Sequence, residues 1–96
     1  MSPQNKKKFN LLRKQLDKLD NNLLRIIEKR TNIVKNVLNI KEYKYEIVDK
    51  KRINKILSNI KKKSLKHKID PNITKRIWKN MIWAYISFEK KNFKKK

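Results

Sequence analysis

The chain has 96 residues and carries 29 Lys and Arg against 8 Asp and Glu, a formal net charge of +21, with no Gly, no Cys and only 2 Pro. That length holds one domain with a modest core; the lack of Cys excludes a disulfide scaffold and a Cys-based zinc site, and the scarcity of turn formers points to an all-α fold. No apolar run approaches the ~20 residues that span a bilayer, and charges stand where a signal peptide has its apolar stretch, so the expectation is a soluble cytoplasmic protein.

Residues 1–8 read as a disordered basic N-terminus in which Lys6, Lys7 and Lys8 lead into a first helix. From about Phe9 to Ile40 the apolar residues keep helical spacing with no internal breaker. Some 33 residues would run ~50 Å, well beyond the diameter of a compact monomer of this size, so a partner subunit is expected to cover much of the stripe. Stepping by three and four from Arg13 gives Leu16, Asp20, Leu23, Ile27, Arg30, Val34, Val37 and Lys41, one continuous face. Three cations therefore point inward. Arg13 lies roughly 25 Å from Arg30, and Lys41 roughly 16 Å beyond, too far apart for one small ligand to touch all three within one chain. A second, antiparallel copy would bring one end beside the other's middle and create a cationic pocket for a small dianion.

Glu42 to Val48 alternates aromatic and charged residues but has no strand to pair with, so it reads as a loop. Asp49 can cap a second helix whose core face is Ile53, Ile56, Leu57 and Ile60, fading in the Lys61, Lys62, Lys63 run. Leu65 to Ile69 is a connection. Asp70-Pro71 is a helix start, with Asp as cap and Pro in the first turn. The third helix carries Ile73, Ile77, Trp78, Met81, Ile82, Tyr85 and Phe88 on a stripe that also includes Glu89, then frays into a basic tail at 94–96. Trp78 and Trp83 are five apart and do not share a face; Trp78 is expected in the core and Trp83 at an interface or partly exposed.

Arg13, the LDNNLL stretch at 19–24, Arg30 and Lys41, followed by IVDKKR and IWKNMIWAYISFE, resemble the small all-helical chorismate mutases and the related isochorismate pyruvate lyases. The resemblance covers roughly residues 9–93. It implies three helices per subunit, with a very long first helix, interlocked in a homodimer with two equivalent sites. It further implies that Arg13 from the partner subunit and Arg30 bind the two carboxylates of chorismate, and that Lys41 reaches a carboxylate and the ether oxygen. Glu89 matches a position where such proteins carry Gln or Glu facing that oxygen, and Asp49 matches an Asp near the hydroxyl-bearing carbon. Two positions depart from the pattern: the second-helix pair usually reading Arg-Glu is Arg52-Ile53 here, and Tyr85 stands where some members have a small hydroxyl residue.

Conversion of chorismate to prephenate is an intramolecular rearrangement, so the family chemistry calls for no cofactor and no metal. Such a site holds a compact conformer and stabilises charge that develops on the ether oxygen, with Lys41 and a protonated Glu89 as donors. Phenylalanine and tyrosine biosynthesis is the implied setting, with isochorismate pyruvate lyase activity as the alternative. A third possibility, from another class, is a non-catalytic basic helical dimer that binds nucleic acid. Against it, 24 Lys, 12 Asn and 13 Ile share AT-rich codons and only 5 residues are Arg, so the Lys excess reads first as a solvated surface. His67 lies in a polar connection without a second His nearby and receives no metal or proton-transfer role.

Overall fold

The computed structural model describes residues 1–94. Among these residues the regular elements are helical: α1 spans Pro3–Ile40, a 3-10 turn follows at Lys44–Ile47, α2 spans Lys50–Lys66 and α3 spans Pro71–Asn92. No helix among them is long and apolar enough to cross a membrane.

The first helix begins at Pro3, well before Phe9, and residues 3–8 are helical instead of disordered. The cause is local. Pro3 has a backbone angle already suited to a first helical turn, while Ser2 acts as its cap: its Oγ accepts from the Asn5 N–H at 3.2 Å, and its carbonyl accepts from Lys6 N–H at 2.8 Å.

By contact density the chain forms two compact units, Met1–Ile33 and the remainder from Val34 onward. In the first, the apolar face of α1 is bare: Leu12, Leu16, Leu19 and Leu23 are each more than half exposed. In the second, the core is Leu38 from the end of α1, Ile47 from the 3-10 turn and Ile86 from α3, with Val48, Ile53, Ile82 and Phe93 packed around them.

The residues from 42 to 48, expected as a plain loop, contain that 3-10 turn because Tyr43 and Glu46 close it reciprocally. Glu46 N–H donates to the Tyr43 carbonyl at 3.1 Å, and Tyr43 N–H donates to Glu46 Oε1 at 3.2 Å. Closure turns Ile47 inward to 4 % exposure.

Asp49 caps α2 as its sequence position suggests, Oδ1 accepting from Arg52 N–H at 3.0 Å. The helix runs through the lysine run to Lys66. It ends in a Schellman motif: Lys68 takes a left-handed φ of 56°, and Lys68 and Ile69 N–H groups donate to the Leu65 and Ser64 carbonyls. Asp70 then caps α3 through Asn72 N–H at 2.9 Å. Near this turn Ser64 Oγ and Thr74 Oγ1 meet at 2.6 Å in a buried bond between α2 and α3. On α3 the inward face is set by Thr74, Ile86 and Glu89, whereas Ile73 and Ile77 are exposed.

Candidate active site

Lys41 follows the buried Leu38 by three residues, and its N–H donates to the Leu38 carbonyl at 3.3 Å. Glu89 follows the buried Ile86 by the same interval on α3, which keeps it on the inward face of the helix. These two placements bring together residues 48 apart in sequence. Lys41 Nζ lies 3.0 Å from Glu89 Oε1, with the side chains 17 % and 8 % exposed. Withdrawing either charge alone from water is costly, so each depends on the other for its low exposure. Lys41–Glu89 is the one ion pair found among the described residues.

Lys41 also lines an open groove of about 660 Å³, together with Tyr45, Glu46, Val48, Asp49 and Lys50. Asp49 faces this groove while its Oδ1 serves the α2 cap. The groove offers the Lys41 ammonium to a ligand oxygen, next to the Asp49 carboxylate, which can accept from a hydroxyl.

Of the expected residues, Lys41, Glu89 and Asp49 are gathered in this unit. Ile53 is half-buried, packed against Leu38, Ile47 and Ile86, and it carries no polar atom. Tyr85 is half-buried on α3, one turn before Glu89. Arg13 and Arg30 belong to the Met1–Ile33 unit and are exposed there; the Arg13 guanidinium sits over the Phe9 ring, 4.1 Å from its centroid. Glu89 finds its partner in Lys41 and not in the adjoining Lys90 or Lys91. Sequence reasoning missed Tyr45 and Glu46 as groove residues. The spacing of Tyr43 and Glu46, which permits an acid to reach back to a turn's first N–H, was the available signal.

A family model described as chorismate mutase type II matches residues 12–90. The chain belongs to that family. No curated protein and no solved structure matched it. The chorismate mutase match takes in Arg13, Arg30, Lys41, Asp49, Ile53, Tyr85 and Glu89, every position assigned a role from the sequence.

Proposed function

We propose that the protein is a chorismate mutase that rearranges chorismate to prephenate on the route to phenylalanine and tyrosine, acting in the cytoplasm as an interlocked homodimer over residues 9–93. The observation that carries this reading is the contact of Lys41 with Glu89 at 3.0 Å. It joins two residues 48 apart in sequence and withdraws both from solvent, and Lys41 also lines an open groove.

The reaction breaks one C–O bond and forms one C–C bond within a single molecule, so atoms and electrons balance without an added reactant. The catalytic residues in this reading are Lys41, Glu89 and Arg30. Arg30 and the partner chain's copy of Arg13 hold the two carboxylates, which confines the substrate to its folded conformer. Lys41 turns from Glu89 toward the ether oxygen as negative charge grows there. Glu89 faces the same oxygen beside Lys41. Asp49 accepts from the substrate hydroxyl, Tyr85 borders the ring, and Ile53 supplies an apolar wall.

Dimerisation is supported by the core itself. Among the described residues, Leu38, Ile47 and Ile86 are the buried apolar ones, whereas Leu12, Leu16, Leu19 and Leu23 are exposed along α1. A chain that leaves this much apolar surface in water gains from covering it with a second copy.

The test is incubation with chorismate, and separately with isochorismate, followed by product identification. Prephenate from chorismate is the expected result. Pyruvate released from isochorismate would select the lyase instead, and no turnover of either substrate by the folded protein would overturn both.

A further inference from the structure

Two grooves on the α2–α3 pair adjoin at Leu57, which lines both, and together are termed the trough. One is lined by Lys50, Ile53, Asn54, Leu57, Lys79, Ile82 and Trp83, while the other includes Leu57, Lys61 and Lys75. No acidic side chain lines either groove. Between Lys50 and Lys94 the sequence has fifteen Lys and Arg against two acids, Asp70 and Glu89. Both are already engaged, Asp70 as the α3 cap and Glu89 with Lys41. Trp83, 46 % exposed, is an accessible indole lining the same groove as Lys50 and Lys79. Lys50 also lines the groove beside Lys41, where the two surfaces adjoin.

We propose that this trough binds single-stranded nucleic acid, its phosphates running along Lys61, Lys75 and Lys79 and a base stacking on Trp83. Composition alone selects no site, because lysine is abundant throughout. Placement does. Lys50 and Lys61 are eleven residues apart on one helix, ~16 Å along its axis, which suits an extended polyanion better than a compact ligand. Aromatic side chains set beside a positive groove are the usual means of holding single strands, since any base offers a face to stack. A bilayer is the poorer fit: Ile53, Leu57 and Ile82 are half-buried within grooves and do not protrude as an inserting face would. Neutral amides such as Asn54 can bond base edges or ribose.

The test is fluorescence anisotropy of a labelled oligouridylate with the full chain over a range of salt. Each phosphate neutralised on a single strand contributes about −0.7 to the slope of log affinity against log salt, so K61Q/K75Q/K79Q should make that slope shallower by about 2. W83L should weaken binding by roughly tenfold or more at unchanged slope, and W83F should recover part of the loss. As a charge-matched control, K6Q/K7Q/K8Q removes the same number of cations outside the trough and should cost far less. Circular dichroism verifies that each variant is folded. Equal losses in the two triple variants, an unchanged affinity in W83L, or tighter binding to polyglutamate or anionic phosphatidylserine vesicles than to oligouridylate would each overturn the proposal.

Discussion

Glu89 holds Lys41 at 3.0 Å, and in the proposed reaction it faces the ether oxygen beside that ammonium. E89Q keeps a side chain of the same length that can still hydrogen-bond, so kcat/KM should be largely retained, whereas E89A should lose most of it; equal activity in the two variants would place Glu89 outside the site. Ile53 raises the opposite question, since it packs on Leu38, Ile47 and Ile86 where the resemblance leads one to expect a Glu. Placing a carboxyl there costs about 1–3 kcal/mol unless it finds a partner. I53E should accordingly lower the melting temperature, and lower KM as well if the side chain reaches the substrate hydroxyl. A variant as stable as the parent with an unchanged KM would show that Ile53 lies outside the pocket.

At the level of elements, the beginnings of α2 and α3 were legible because Asp49 and Asp70 act through their own side chains on nearby N–H groups. Lys41 and Glu89 were legible for a related reason, since helical spacing fixes which side chains share a face. Their mutual contact was not, because it depends on how α3 meets the end of α1. Ile47 escaped notice as a core residue because a turn of four residues leaves no periodic pattern. The end of α2 was also misplaced: the lysine run looked like a fraying terminus, yet nothing breaks the helix before the left-handed residue at 68. Where a helix ends on a left-handed residue that position is usually Gly, and a side chain there costs roughly 1–2 kcal/mol. K68G should relieve about 1 kcal/mol of this after its added freedom in the unfolded chain is counted. Chemical denaturation should show a higher midpoint with an unchanged slope.

For the whole molecule, the shared-site reading makes a prediction that one subunit alone cannot satisfy. R13A and K41A proteins, each inactive by itself, should regain part of the parent activity when mixed and reassembled, because one site per heterodimer then holds an intact Arg13 and an intact Lys41. Subunit exchange verified by mass spectrometry, without recovered activity, would place Arg13 outside the site. The scarcity of acids has a different consequence. With +21 formal charges and Lys41–Glu89 as the one ion pair among the described residues, electrostatics within the folded chain are dominated by repulsion. Added electrolyte screens repulsion and attraction alike, but here there is little attraction to lose. Raising sodium chloride from about 10 mM, where screening extends ~30 Å, to about 150 mM, where it extends ~8 Å, should raise the melting temperature. A protein held by surface ion pairs would move the other way, so this one belongs to the class whose fold is favoured by a crowded ionic medium and strained by dilution of its counterions.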